Sequence, residues 1–434
     1  MLEKLRIKNF KAHEDTDLDL RPITIFIGPN NSGKSSVLQF LLLLKSKSFE
    51  SKKNLRLYDE SFLRTWKGED VLNIHSYNLI DLGDNFNMLK NDLLKETVFS
   101  IQSHFLLTDA FHNAAGIKRM KHKYYLGFNK DMEIDRIEYF STIDDNYEIN
   151  FENDINGISH FSNKGLPIEL KISYQGGVFD PFNNTNLSYP ENFSREEINK
   201  NNVVIQTLLK SNQLMMDSIS FVYGIRGFEL SNEEIYDIKS KRTEYMGLPQ
   251  RSISLGNSLI SDNEMKEKVS NWFKHLGLGE IYTEVKKGKY VIIKVKTINN
   301  TQIINEGLGS QQMLHMFIPI ALAEELDTIM IEEPEIHLHP GTQAELMELF
   351  MRVWKEEKKQ FIMSTHSEHI IYPLLSAISK GDLKKEDVNI IFFNKEEGVV
   401  KTRSLEIDDK GRVKGGLPGF FEQNLDEMID FLEN

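Results

Sequence analysis

Gly28-Pro29-Asn30-Asn31-Ser32-Gly33-Lys34-Ser35-Ser36 decides how the rest of this chain is read. The spacing G-x-x-x-x-G-K-S is that of a phosphate-cradling loop, and each part has a physical task. Gly28 and Gly33 let the backbone turn tightly enough to aim N–H groups at an anion. Lys34 reaches the β- and γ-phosphates of a nucleotide, and the Ser35 hydroxyl is a ligand for Mg²⁺. Asn30, Asn31, Ser32 and Ser36 complete the cradle. Upstream, Ile23-Thr24-Ile25-Phe26-Ile27 is a short apolar, β-branched run that predicts a buried strand, and residues 36–44 predict a helix. Strand, loop and helix in that order point the helix N-terminus at the phosphates.

Working outward, the 434 residues and 40% hydrophobic content describe a soluble globular protein with ample core. The absence of Cys excludes a disulfide framework, a thiol nucleophile and a thiolate metal site. No apolar stretch approaches the roughly 20 residues of a membrane helix, and residues 2–10 alternate like a strand instead of forming a signal peptide. The expectation is a cytoplasmic protein with no membrane partner. A net charge of −13 argues against nucleic-acid binding over the whole surface. It leaves three short basic runs, of which Lys118-Arg119-Met120-Lys121-His122-Lys123 is the densest.

Texture divides the chain into three parts. Residues 1–109 open with alternating strands and carry the phosphate loop. Residues 110–246 read as an insertion, with strands near 123–128, 134–140, 147–151 and 168–174 between Asn/Asp/Gly turns, then a helix over 195–218. Residues 247–434 begin with a helix over 263–276 and a β-hairpin over 281–296. No heptad pattern is sustained, so a long coiled-coil arm is not expected.

Three further motifs belong with the loop. Thr328-Ile329-Met330-Ile331-Glu332-Glu333 is an apolar β-run ending in two acids: Glu332 suits the Mg²⁺ shell, and Glu333 suits the proton acceptor for an attacking water. Phe361-Ile362-Met363-Ser364-Thr365-His366-Ser367 is a second buried strand presenting a polar cluster, where His366 can polarise a γ-phosphate. Asn305-Glu306-Gly307-Leu308-Gly309-Ser310-Gln311-Gln312 precedes a helical run and offers another anion-suited helix start.

This set, in this order, resembles the ABC-type ATPases of the structural-maintenance-of-chromosomes (SMC) and recombination-repair kind. More narrowly, it is similar to the OLD-like bacterial AAA-family ATPases of anti-phage defence, of which the Septu-like ATPase subunit is one form. The residues that carry the resemblance are 7–10, 28–36 and 307–312, the run Ile331-Glu332-Glu333-Pro334-Glu335-Ile336-His337-Leu338-His339-Pro340, and 364–367. It implies an α/β ABC-type P-loop ATPase head with a mixed α/β insertion, ATP and Mg²⁺ as cofactors, and a homo-oligomer in which two copies sandwich the nucleotide. It assigns Glu332 to Mg²⁺, Glu333 to the catalytic base and His366 to the switch histidine. Gly309, Ser310 and Gln311 match a signature that meets the γ-phosphate held by the opposing subunit, and residues 336–340 a loop crossing between subunits. Two departures stand out: Glu332 replaces the commoner Asp, and Gly-Leu-Gly-Ser-Gln-Gln replaces Leu-Ser-Gly-Gly-Gln.

The related nucleases carry a Toprim domain after the ATPase. The spacing of Glu406-Ile407-Asp408-Asp409 does not match its acids, and the end of the sequence at Asn434 leaves little room for it. The expected output is therefore a separately encoded effector, an HNH or Toprim nuclease, with DNA as a trigger through residues 118–123. An amphipathic run over 417–432, with Phe421, Leu425, Met428 and Leu432 at helical spacing, is a candidate docking element. The competing readings are an SMC-like repair ATPase and a non-hydrolysing ATP-bound scaffold.

Overall fold

Two kinds of sheet follow from two kinds of strand pattern in the computed structural model. It describes residues 1–45, 97–106, 119–128, 134–143, 147–153, 159–165, 169–173, 184–188, 219–222, 233–234, 252–286, 290–298 and 300–418, with scattered positions between 194 and 218. These fall into two compact units. The first comprises Met1–Leu20, Asn31–Ser218 and Asn394–Thr402, and the second Arg21–Asn30, Ile219–Phe393 and Arg403–Asn434.

The first unit is built on alternation. In β1 (Leu2–Phe10), Leu5 and Ile7 are buried while Lys4 and Arg6 face solvent, as period-two patterning requires of a sheet covered on one face. β1 pairs antiparallel with β2 (His13–Asp19), where Lys4–Asp19 and Arg6–Asp15 close exposed ion pairs. Such pairs contribute at most about 1 kcal/mol each. β4 (Thr97–Leu106), β5 (Arg119–Phe128), β6 (Ile134–Ile143), β7 (Tyr147–Asn153) and β8 (Ser159–Lys164) extend the sheet in the order β2-β1-β4-β5-β6-β7-β8. β9 (Glu169–Ser173) and β10 (Asn184–Ser188) form a separate pair, and α1 (Lys34–Lys45) follows the phosphate loop. β4 and β5, on either side of the boundary expected at 109, are adjacent antiparallel strands. The basic run over 118–123 is also divided. Strand alternation exposes Lys121 and Lys123 and buries Met120 and His122, with Lys118 outside the described residues.

The second unit is built on continuous apolar runs. β3 (Ile23–Ile27) and β17 (Gln360–Ser364) are buried along their whole length, and β16 (Thr328–Glu332) is buried up to Glu332. That is the pattern of parallel strands covered on both faces. With β11 (Ile219–Val222) and β18 (Val388–Glu396) they form a parallel sheet in the order β11-β16-β17-β3-β18. After β18 the chain turns through Glu397 and Gly398, both at positive φ, into β19 (Val399–Ser404). Gln360, 1% exposed, fixes the register at the amino end. Its Oε1 accepts from Thr328 Oγ1 at 2.6 Å on one side, and its Nε2 donates to the Arg21 carbonyl at 3.0 Å on the other.

Helices α2 (Ser252–Ser261), α3 (Asn263–His275), α4 (Leu308–Leu322), α5 (Pro340–Glu357) and α6 (Glu368–Ser379) belong to this unit. α4 is buried on all sides from Gln311 to Ile320, and Trp272 and Phe273 of α3 meet its Phe317 edge-on at 5.4 and 5.7 Å. The expected hairpin is present as β13 (Glu280–Lys286) and β14 (Tyr290–Lys296), joined by β12 (Glu233–Glu234) and β15 (Asn300–Gln302). α5, at 18 residues, is the longest helix among the described residues, so no long coiled coil appears among them. None of the described helices is long and apolar enough to cross a membrane. Most of the amphipathic run over 417–432 lies outside the described residues.

Within the first unit, β2 reaches the back half of the phosphate loop through His13. The imidazole is 0% exposed, with Nε2 3.2 Å from the Gly33 carbonyl oxygen and Nδ1 2.9 Å from Thr16 Oγ1. A carbonyl only accepts, so Nε2 carries the proton and Nδ1 accepts from the Thr16 hydroxyl. Burial pushes the imidazole down to about 4, against the opposing pull of the Gly33 carbonyl. The folded protein thus holds His13 neutral, whereas an unfolded chain protonates it near 6.5. Its contribution is complete above that value and is lost as pH falls towards 4, a span of about 3 kcal/mol. Urea unfolding of wild type and His13→Gln between pH 7 and 4 should show the steeper loss in wild type. Parallel profiles would contradict a neutral buried His13.

Candidate functional site

At the carboxyl ends of three adjacent strands of the second unit, one cross-strand row collects the expected chemistry. Phe26 of β3 is opposite Ser364 of β17, which is opposite Glu332 of β16. The ladder continues past the strands: Glu333 N–H donates to the Ser364 carbonyl at 2.9 Å, and Thr365 N–H to the Phe26 carbonyl at 3.1 Å. The residues entering the phosphate loop, the acid pair and Ser364-Thr365-His366 therefore lie side by side. Glu332 and Glu333 are half-buried and His366 is exposed. Ser364 Oγ, on a residue 1% exposed, has no hydrogen-bond partner among the described residues. Ligands of open α/β sheets collect at such strand ends.

The front of the loop is confined. Gly28 has φ +139°, and a Cβ there would stand 2.0 Å from the Phe393 carbonyl oxygen. Only glycine fits both the conformation and the space. Pro29 and Asn30 follow, both exposed.

The back of the loop, in the first unit, is equally constrained. Asn31 and Gly33 have φ of 62° and 101°. A Cβ on Gly33 would meet Val400 Cγ2 at 2.6 Å, and Val400 is itself held by its N–H to the Ala12 carbonyl at 2.8 Å. Backbone of this changing hand turns successive N–H groups towards one side. Ser36 N–H donates to the Gly33 carbonyl at 3.1 Å, which opens α1, and no acid stands in the helix's first turn. Ser32 and Lys34 are 2% and 6% exposed, with Lys34 Nζ 3.5 Å from Ser32 Oγ. Ser35 and Ser36 are half-buried.

The signature-like turn divides its three expected residues. Gly307 caps α4 and is exposed with Leu308, while Gly309 and Ser310 are half-buried. Gln311 faces inward: it is 5% exposed, and its Nε2 donates to the carbonyls of Ile304 and Glu306, both at 3.0 Å. Its amide nitrogen thus braces the preceding turn.

Reading the motifs one by one missed the joinery between them. Gly309 packs so closely on the loop after β16 that a Cβ would be 2.9 Å from the His337 carbonyl oxygen. The same loop contacts the residues after β17. Glu335 Oε1 accepts from His366 N–H at 2.7 Å. Gln343 Nε2 donates to the Leu338 carbonyl at 2.8 Å, and its Oε1 accepts from the Ser367 hydroxyl at 2.5 Å. Burial pushes the Glu335 carboxyl up, the His366 N–H opposes this, and neighbouring Glu333 adds to it. Two non-glycine residues of the loop, Glu333 at φ 46° and His337 at φ 61°, occupy left-handed backbone. His339 is the N-cap of α5, its Nδ1 3.3 Å from Gly341 N–H, with Pro340 at the first helical position. No cluster of three or more His, Asp or Glu suited to a metal forms among the described residues. Glu335 and Gln343 had one signal in sequence: polar residues at near-helical spacing around a Pro-started helix. His13 had none.

The family described as an AAA ATPase domain matches residues 1–371, and a family of proteins of unknown function matches residues 383–430. The OLD nuclease of Thermus scotoductus is 22% identical over 442 residues, spanning 99% of this chain and 70% of that protein. The methionine import ATP-binding protein MetN of Staphylococcus saprophyticus is 24% identical over 131 residues, 29% of this chain and 36% of its own length. Among solved structures, the SMC head domain of Thermotoga maritima aligns at 12% identity and a TM-score of 0.40, covering 94% of this chain and 99% of that one. The Pyrococcus furiosus Smc head bound to the C-terminal domain of ScpA aligns at 12% identity and a TM-score of 0.42, covering 100% and 99%. The family match runs through the phosphate loop, the acid pair and the switch segment, and the chain belongs to the AAA ATPase domain family.

Proposed function

We propose that this chain binds and hydrolyses ATP with Mg²⁺, that two copies close over the nucleotide, and that its nucleotide state controls a separate nuclease effector. The observation that carries the ATPase reading is the row Phe26–Ser364–Glu332, with Glu333 and His366 at its edge. The residues fit the group. Gly28 and Gly33 are confined where backbone must approach an anion, and Ser35 and Glu332 are hard oxygen donors of the kind Mg²⁺ prefers. When bound, Mg²⁺ neutralises charge on the β- and γ-phosphates. Lys34 adds a positive charge to the same phosphates. Glu333 takes the proton of the attacking water, and His366 donates to the oxygen on which charge develops.

Lys34→Ala and Gly28→Ala should each weaken Mg–ATP binding by roughly tenfold or more, the first by removing a charge-assisted contact and the second by displacing the backbone. Calorimetric titration measures this, and unchanged affinity in both would overturn the loop assignment.

Glu333→Gln should keep ATP affinity and lose about 10²–10⁴-fold in turnover, since the amide cannot take a proton. The pairing reading rests on the turn of exposed Gly307 and Leu308 and half-buried Gly309 and Ser310, an anion-suited helix start separate from the phosphate loop. Light scattering should show the Glu333→Gln variant pairing when ATP is added. Wild-type turnover in the variant, or a monomer at saturating ATP, would count against the respective assignment.

The effector reading rests on the likeness to the OLD nuclease over 99% of this chain. Purification from the native operon should recover a nuclease of the HNH or Toprim class with the ATPase, released or activated according to nucleotide. Recovery of the ATPase alone, with DNA cleavage or phage protection independent of any neighbouring gene, would exclude it. DNA as the trigger is retained only through the exposed Lys121 and Lys123 of the basic run.

A further inference from the structure

The loop between β16 and α5 touches both the turn that opens α4 and the residues that follow β17. It begins at Glu333, beside the Ser364 carbonyl. Glu335 reaches the backbone of His366. The His337 carbonyl abuts Gly309, and Leu338 is held by Gln343, which also holds Ser367. Turn bonds from Ile336 N–H to Glu333 O (3.3 Å) and Leu338 N–H to Glu335 O (3.0 Å) stiffen the loop itself. The left-handed Glu333 and His337 would relax to ordinary backbone unless the surroundings held them. Glu335 and Gln343 are the side chains placed to hold them.

We infer that Glu335 and Gln343 are positioning residues that lock this loop to the switch segment, so that the loop and His366 move as one body. This rests on the ATPase reading above. His337 and His339 are exposed at the far side of the loop. A push on them by whatever surface meets the loop is delivered to His366 through two hydrogen-bonded links instead of being absorbed by a flexible turn. Glu335 acts through an acceptor oxygen and Gln343 through an amide that both donates and accepts. Neither needs to touch nucleotide.

The test separates these roles. In Glu335→Ala and Gln343→Leu without nucleotide, amide hydrogen exchange over residues 364–368 should quicken roughly tenfold, because bonds holding the segment are gone. ATP turnover in both should fall by on the order of ten- to a hundredfold, the scale of a small misplacement of a catalytic group. KM and ATP affinity should stay within about twofold, since the phosphate loop keeps its own supports. Glu335→Gln, which retains the acceptor oxygen, should restore both exchange and turnover. Unchanged exchange, a loss of affinity matching the loss of turnover, or a Glu335→Gln variant as impaired as Glu335→Ala would each overturn the inference. If the wild type hydrolyses no ATP, the ATPase reading fails, and the exchange comparison still decides whether the loop and the switch segment are linked.

Discussion

Gln360 holds the middle strand of the parallel sheet to both its neighbours at the amino end, and the site at the opposite end depends on that register. Its side chain bonds Thr328 on one side and the Arg21 carbonyl on the other, deep in the sheet. Buried polar groups of this kind are costly to leave unpaired, at about 1–3 kcal/mol each. A slip of β17 by one residue would strand Gln360 and move Ser364 out of line with Phe26 and Glu332. The cross-strand row is thus set several residues away from where it is used. The continuous apolar interior of β3, β16 and β17 supplies cohesion but not register, because Ile, Met and Phe side chains are interchangeable under a one-residue shift.

The second determinant is packing above the sheet. α4 is enclosed all round, so its position is fixed by contacts such as Trp272 and Phe273 against Phe317 and not by its own capping. Its amino end therefore arrives at the loop after β16 as part of a rigid body. Gly309 makes the approach possible, and Gln311 braces the turn behind it. At the carboxyl end, Lys359 Nζ donates to the Ile320 carbonyl at 2.8 Å, which satisfies one of the acceptors a helix leaves open. Lys359 immediately precedes Gln360, so the far end of α4 is tied to the start of the strand that presents His366.

Much of this was legible in the sequence where chemistry is local. Gly28 to Ser36 reads as a phosphate loop because its spacing has few other uses, and the runs over 23–27, 328–331 and 361–363 read as buried strands. The acids and His366 were placed at strand ends by the same reasoning. What was not legible is order. Nothing in residues 360–367 announces that β17 sits between β3 and β16, since parallel pairing depends on crossovers and long-range packing. For the same reason the pairing of β4 with β5 across residue 109 was not legible, nor were the carbonyl partners of Gln311 five and seven residues back in the chain. Glu335, Gln343 and His13 are polar residues whose meaning lies entirely in distant partners.

The left-handed backbone of His337 has a thermodynamic consequence for how this protein can vary. A left-handed non-glycine residue carries roughly 1 kcal/mol or more of strain, which glycine would relieve. Glycine also costs roughly 0.5–1 kcal/mol in the entropy of ordering a freer unfolded chain. The two nearly cancel, so a glycine at this position would leave melting behaviour almost unchanged while giving the loop torsional freedom it now lacks. Selection on stability alone would be almost blind to that exchange.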